Sequence, residues 1–257
     1  MPDHIFDNTR LAAVYDYIEG DRSDLDPYAA MTEEFRSSRV LDIGCGTGTF
    51  STLLAARGVE VTGVDPASAS LNIARQKPHA DKVTWVHGIA PDVLPLQVDL
   101  AFMTANVAQV FLTDEDWRNT LRAAHSALRP GGRLIFESRD PARRAWEGWT
   151  RDRTREVVST PHDGDVESWV EITHVDGDLV TFESPTIFRN DGARVESTST
   201  LRFRSRAELT TSLEDVGFAV EDVRDAPDRS GRELVFVVRK GCRPRTAGGG
   251  ARRRPPG

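Results

Sequence analysis

Three glycines alternate with other residues in Gly44-Cys45-Gly46-Thr47-Gly48, directly after the apolar run Val40-Leu41-Asp42-Ile43. Glycine at that density disfavours a continuing helix or strand, because it loses more backbone freedom on ordering than any other residue. It is retained where the chain must turn with positive φ, or where backbone must approach a ligand without a Cβ in the way. A strand that enters such a turn and leaves it as a helix aims several backbone N–H groups at one point, which makes a ligand site. The following residues fit that plan. Leu53, Leu54 and Ala55 give a helix running from after Gly48 to Arg57, Gly58 supplies its stop, and Val59 to Val64 is a second apolar run. The segment therefore reads as one βαβ unit, with its first strand at 39–43.

The same alternation continues downstream and predicts a parallel sheet. Helices are expected over 67–75 and 114–128, the second ended by Arg129-Pro130-Gly131-Gly132, and strands over 83–86, 98–103 and 134–136. Beyond Phe136 the texture changes to short alternating segments punctuated by Asp-Gly at 163–164, 176–177 and 191–192, the sign of antiparallel hairpins. This block, about 153–203, contains half-buried strands at 169–172, 179–182 and 201–203. Ser205 with Glu208 forms a capping box for a helix through Leu213, Gly217 ends it, and strands over 218–223 and 233–238 close the core. Near the start, Leu11, Val14, Tyr15 and Ile18 share one helical face, so this helix is expected to pack on the core and cover the ligand.

Composition narrows the function classes. The 257 residues, 39% hydrophobic, suffice for one main α/β core. No run approaches the roughly 18 apolar residues of a membrane span, and the start lacks a signal-peptide pattern, so a cytoplasmic location without a membrane partner is expected. Two cysteines, Cys45 and Cys242, are too few for a disulfide framework or thiolate metal site. The six histidines show no H-x-x-x-H spacing, so no metal is expected. The net charge of −7 includes five arginines and no acid at 241–257, which makes the remaining body strongly acidic and argues against a nucleic-acid partner.

Two carboxylates accompany the glycine turn. Asp42, at the end of the first strand, can either receive the ammonium group of a bound amino acid or brace the turn. Asp65 follows the second strand about 20 residues after the turn, where a carboxylate accepts hydrogen bonds from both hydroxyls of a ribose. A dinucleotide site would have the spacing G-x-G-x-x-G, whereas here Thr49 occupies the sixth position. With no Tyr-x-x-x-Lys pair either, a nicotinamide-dependent reductase is the weakest alternative.

Val40-Leu41-Asp42-Ile43-Gly44-Cys45-Gly46-Thr47-Gly48, Val61-Thr62-Gly63-Val64-Asp65 and Leu128-Arg129-Pro130-Gly131-Gly132-Arg133-Leu134 together resemble the class I S-adenosylmethionine (SAM)-dependent methyltransferases of the small-molecule type. The resemblance implies an α/β, Rossmann-like seven-stranded sheet ordered 3-2-1-4-5-7-6, its last strand antiparallel, with an antiparallel β insertion after the fifth strand. It implies SAM as cofactor, a small-molecule N or O acceptor as partner, and a SAM-binding set of Asp42, Gly44, Cys45, Gly46, Gly48, Asp65, Pro66, Gly88, Ile89, Ala90, Met103 and Asn106. Family members carry an acid where this chain has Ile89; adenine would then meet the backbone of Ile89 and Ala90 and the Ile89 side chain, with Asp92 as a substitute. The expected organisation is a helical cap at 1–38, a SAM-binding core at 39–140, an insertion at 141–204 serving as substrate lid, completion of the core at 205–240, and a disordered basic tail at 241–257.

Methyl transfer from a sulfonium rests on alignment and exclusion of water, with a base needed only for a protonated acceptor. Asn106 and Gln109 after the fourth strand, and Glu137 at the end of the fifth, are the candidates beside the reacting centre. Asn106 and Gln109 have local turn bonding as their alternative, and Glu137 an ion pair with Arg139, Arg143 or Arg144. Trp146 and Trp149 either wall a substrate pocket or pack a core. A protein that binds SAM without performing chemistry is the remaining alternative.

Overall fold

A computed structural model describes residues 2–226 and 229–241. The chain begins with α1 (His4–Asp7), α2 (Thr9–Glu19) and α3 (Asp26–Glu34). It then alternates through β1 (Arg39–Ile43), α4 (Thr49–Ala56), β2 (Glu60–Asp65), α5 (Ser68–Ala74), β3 (Val83–His87), β4 (Val98–Met103), α6 (Asp114–Ala127) and β5 (Leu128–Arg139). After α7 (Arg151–Thr154) come β6 (Glu156–Thr160), β7 (Gly164–Ser168), β8 (Glu171–Asp176), β9 (Leu179–Glu183), β10 (Thr186–Phe188), β11 (Ala193–Val195) and β12 (Thr198–Arg202). Finally, α8 (Arg206–Val216) leads into β13 (Phe218–Asp225) and β14 (Glu233–Lys240).

The principal sheet has the order β3-β2-β1-β4-β5-β14-β13, with β14 antiparallel to both of its neighbours. This is the order that the resemblance implied, and it is α/β with helices on both faces. Strands buried on both faces read as near-continuous apolar runs. Leu41, Ala101, Leu134 and Phe236 point to the side covered by Trp117 and Leu121 of α6 and Leu213 of α8. Val40, Leu100, Phe102 and Ile135 point to the side covered by Tyr28 of α3 and Phe50 and Leu54 of α4. On the first side Trp117 also donates its indole N–H to Ser212 at 2.8 Å, which satisfies the one polar atom that burial of tryptophan leaves over.

The insertion forms two further sheets, β11-β10-β7-β6 and β12-β9-β8. All three Asp-Gly pairs sit at hairpin turns, joining β6 to β7, β8 to β9 and β10 to β11. Ser205 and Glu208 cap α8 reciprocally, and Gly217 closes it at φ 100°.

Several expectations need correction. Residues 169–172 are not one strand: Trp169 and Val170 form the passage between the two inserted sheets, where Val170 N–H donates to Thr154 Oγ1 at 2.9 Å. The helix does stop before residues 129–132, but the fifth strand starts earlier than 134 and holds them as a bulge inside β5, since Val98 and Leu100 of β4 face Leu128 and Arg133 respectively. The apolar face of α2 does not pack on the principal core. Leu11 and Val14 are buried with Val166 and Phe188 of the inserted sheet, whereas Asp16 of α2 meets Thr47 of the glycine turn and Lys77 after α5 through polar contacts. The basic tail from Cys242 onward lies outside the described residues.

Candidate active site

The glycine turn follows β1 at the carboxyl edge of the sheet, and each glycine has its own reason for being there. All three have positive φ, 73° at Gly44, 52° at Gly46 and 77° at Gly48. A Cβ on Gly44 would stand 2.7 Å from Val107 Cγ2, and one on Gly48 would stand 2.5 Å from the Trp85 ring and 2.7 Å from Ala74 Cβ. A Cβ on Gly46 would meet nothing within 4 Å. Gly44 and Gly48 are thus required by packing as well as by conformation, whereas Gly46 opens onto space.

That space is a cleft of ≈ 690 Å³ at the carboxyl ends of β1 to β4. Of the expected cofactor residues, Gly44, Gly46, Asp65, Pro66, Gly88, Ile89 and Ala90 line it. Asp65 holds the turn in place: one carboxylate oxygen accepts Gly46 N–H and the other accepts Ala67 N–H, both at 2.8 Å. A carboxylate has about four lone-pair sites, so two remain for a ligand's hydroxyls. Burial pushes the Asp65 carboxyl up from its ordinary value, and the two backbone N–H groups oppose that shift.

Asp42, Cys45, Gly48, Met103 and Asn106 do not line the cleft. Met103 points into the principal core and is wholly buried. Cys45 is buried, with Sγ against Gly63, and burial drives its thiol up well above the ordinary range. Asp42 faces the opposite side of the sheet from Leu41 and accepts the Ser51 hydroxyl at 2.6 Å. It therefore braces β1 against α4 through a side chain rather than through the backbone of the turn. Desolvation pushes its carboxyl up to about 7. At the rim, Ile89 is 56% exposed, and its N–H already donates to Asp92 Oδ2 at 2.8 Å. Asp92 is thus bound to the loop itself, and the Ile89 N–H is not available to a ligand.

The cleft also has a roof, to which the helix expected to cover the ligand contributes Tyr15. Pro2, Asp3 and Phe6 at the start of the chain and Tyr15 of α2 cover it, with the Phe6 and Tyr15 rings edge to face at 5.6 Å. Polar contacts seat this roof on the core. Asp16 accepts Thr47 Oγ1 at 2.6 Å and pairs with Lys77 at 2.6 Å, while Ser70 Oγ donates to Phe6 O at 2.7 Å. The sequence marked the helix of Tyr15 as a cover, but it gave no sign that Pro2, Asp3 and Phe6 would join it.

Glu137 and Asn106 lie behind the wall of the cleft, buried at 1% and 3% exposure. Glu137 makes no ion pair with Arg139, Arg143 or Arg144. Its carboxylate accepts the Tyr28 hydroxyl and, at 3.0 Å, Asn106 N–H. Burial first, and then neighbouring Glu233, push its carboxyl up. Asn106 Nδ2 donates to Glu233 at 3.2 Å, and Arg139 donates to Gln109 Oε1 at 2.9 Å, so Gln109 is engaged beyond its own turn. Trp146, on a 3₁₀ turn, and Trp149, just after it, pack edge to face on Phe203 and Phe182 respectively, as parts of a core. Among the described residues no His, Cys, Asp and Glu group could hold a metal, and no helix is long and apolar enough to cross a membrane.

Residues 40–132 match the family model described as a methyltransferase domain. Among curated proteins, the ubiquinone biosynthesis O-methyltransferase of Idiomarina loihiensis is 31% identical over 116 residues, 45% of this chain and 48% of that one. The chain thus spans about half the length of that relative. Solved structures align more fully. The CcbJ methyltransferase of Streptomyces caelestis superposes with a TM-score of 0.73 at 22% identity, over 90% of this chain and 96% of its own. CalS10, an amino pentose methyltransferase of Micromonospora echinaspora solved with SAM bound, gives 0.67 at 21% identity, over 89% and 95%. These last two are likenesses of fold. Residues 40–132 thus carry the methyltransferase domain, and around them the chain has the fold of SAM-dependent methyltransferases of known structure.

Proposed function

We propose that the chain transfers the methyl group of SAM to a nitrogen or oxygen atom of a small molecule. The observation that carries the reading is the cleft itself: Gly46 opens onto it without a Cβ, Asp65 stands at its edge with free lone pairs, and Phe6 and Tyr15 roof it. SAM, when bound, supplies an electrophilic methyl group on a sulfonium. In this reading the backbone of Gly44 and Gly46 holds the methionine part, Asp65 receives the ribose hydroxyls, and Ala90 with the Ile89 side chain meets the adenine. The roof excludes water, and the inserted sheets, to which α2 is fastened, form the acceptor's lid. Positioning then does most of the chemistry. Glu137 has both oxygens engaged and does not serve as a base.

Titration calorimetry with SAM and, separately, with NADPH tests the cofactor. Micromolar binding of SAM alone is expected, and binding of NADPH alone would sink the reading. Incubation with methyl-labelled SAM and pooled small amines then tests transfer. Labelled product is expected, whereas SAM binding without label in any amine or hydroxyl pool would mark a binding protein.

A further inference from the structure

The turn after β4 is built unusually. Ala105 and Asn106, neither of them glycine, take consecutive left-handed conformations at φ 54° and 60°. L-residues resist that region because Cβ crowds the following carbonyl, and two in succession persist only where the surroundings over-determine them. Here the surroundings are two buried carboxylates on neighbouring antiparallel strands, Glu137 of β5 and Glu233 of β14. Glu137 accepts the backbone N–H of Asn106 at 3.0 Å, and Glu233 accepts its side-chain Nδ2 at 3.2 Å. Tyr28 of α3, itself 2% exposed, fixes the Glu137 carboxylate from the other side by donating its hydroxyl. Arg229 pairs with Glu233 at 3.0 Å.

The consequence is felt in the cleft. Ala105 and Val107 line it, although Asn106 between them does not. Val107 is the residue against which Gly44 packs. Whatever fixes Asn106 therefore fixes the wall that faces the glycine turn.

We propose that Tyr28 and Glu233 are positioning residues for the cofactor, acting through Glu137 and Asn106 to hold Ala105 and Val107 against the glycine turn. The proposal rests on the SAM reading and concerns the methionine end of the cleft, because Val107 abuts Gly44 whereas the adenine end lies at Gly88 to Ala90. Tyr28 and Glu233 touch no ligand themselves. The arrangement requires hydrogen bonds rather than a negative charge at position 137. A glutamine there still offers a carbonyl oxygen to Asn106 N–H and an amide that can donate to the Tyr28 oxygen.

The test measures equilibrium binding of SAM and of adenosine, which lacks the methionine part, to the whole chain and to Tyr28→Phe, Glu233→Gln, Glu137→Gln and Glu137→Ala, each first shown to be folded by circular dichroism at the titration temperature. Tyr28→Phe and Glu137→Ala should bind SAM at least tenfold more weakly while binding adenosine within twofold of the unaltered chain. Glu137→Gln should retain SAM affinity within threefold, and Glu233→Gln should fall between. Should Tyr28→Phe leave SAM affinity unchanged, weaken adenosine equally, or should Glu137→Gln lose as much as Glu137→Ala, the proposal is overturned. If Tyr28→Phe does not fold, the contrast between the two Glu137 variants decides alone. Failure of the unaltered chain to bind SAM is a different result, and it refutes the cofactor reading instead.

Discussion

Lys77 Nζ lies 2.6 Å from Asp16 Oδ2, so an ion pair joins α2 of the roof to the turn that follows α5. The same ammonium donates to Thr49 Oγ1 at 2.6 Å, and Asp16 accepts Thr47 Oγ1. Roof, glycine turn and the segment after α5 are tied at one point. The attachment of α2 to the inserted sheet is of another kind: Leu11 and Val14 pack on Val166 and Phe188, and Arg10 pairs with Asp163 and lies over the Phe188 ring. The apolar seam is the firmer, so opening of the cleft should occur at the polar one. Lys77→Met is expected to cost only about 0.5–1 kcal/mol of stability, the range of partly exposed pairs. It should raise the dissociation rate of SAM several-fold, as stopped-flow displacement would show; an unchanged rate would place the opening elsewhere.

Gly46 and Gly48 should separate binding from folding. Gly48→Ala places a Cβ 2.5 Å from the Trp85 ring and within 2.7 Å of Ala74, at φ 77°. Overpacking of about 1–3 kcal/mol then adds to left-handed strain of about 1–2 kcal/mol, and denaturant unfolding should register a loss of at least roughly 2 kcal/mol. Gly46→Ala meets no atom within 4 Å and should lose only the strain, about 1–2 kcal/mol. Its methyl group projects into open cleft, so SAM affinity should fall more than tenfold. Equal effects of the two substitutions on both measurements would contradict this division.

How far the sequence could be read follows from the kind of signal each residue leaves. The βαβ core was legible because local signs agreed: apolar runs of strand length, glycines at turns, and Asp65 at a fixed distance from the turn. The capping box at Ser205 and Glu208 and the three Asp-Gly hairpins were legible for the same reason. Tyr28 and Glu233 were not, because they meet Glu137 and Asn106 across more than 100 residues of sequence, and an isolated tyrosine or glutamate carries no local mark of that. The destination of α2 was misread on similar grounds. An amphipathic face declares that something covers it without naming which sheet does so. Met103 was misplaced by one step of strand alternation, since its position at the end of β4 is near the cleft while its side chain points into the core.

Ile89 offers a gain-of-affinity test. It stands at the cleft rim, 56% exposed, at the position where the resemblance to the methyltransferases implies an acid. Ile89→Asp should change stability by less than about 0.5 kcal/mol, as exposed substitutions do. A carboxylate there adds an acceptor for the exocyclic amine of adenine, and a net hydrogen bond contributes about 0.5–1.5 kcal/mol. Calorimetry should show SAM and adenosine both bound more tightly, by two- to tenfold. Weaker binding of both would mean that the Ile89 side chain packs on the ring and that its loss outweighs the new bond.

Asp42 makes the stability of the fold depend on pH near neutrality. Its carboxyl is fully buried with one partner, the Ser51 hydroxyl, and desolvation raises it from 3.8 to about 7. The folded state therefore holds this proton more tightly than the unfolded chain does. The stability so gained is fully present below about pH 4 and is lost progressively as pH rises through 7, because the unfolded chain ionises freely while the folded one must either keep the proton or bury a charge. A rise of that size corresponds to roughly 4 kcal/mol, an upper figure for an interior that relaxes. Asp42→Asn keeps the shape and an acceptor for Ser51 but cannot ionise. Its thermal midpoint should lie near or below that of the unaltered chain at pH 5 and above it at pH 8. Glu137 and Asp65, whose carboxyls burial also raises, remain in both proteins, so the difference between the two pH profiles isolates Asp42. Parallel profiles from pH 5 to 8 would show that Asp42 is ionised throughout, and would remove it as the source of any loss of stability above neutrality.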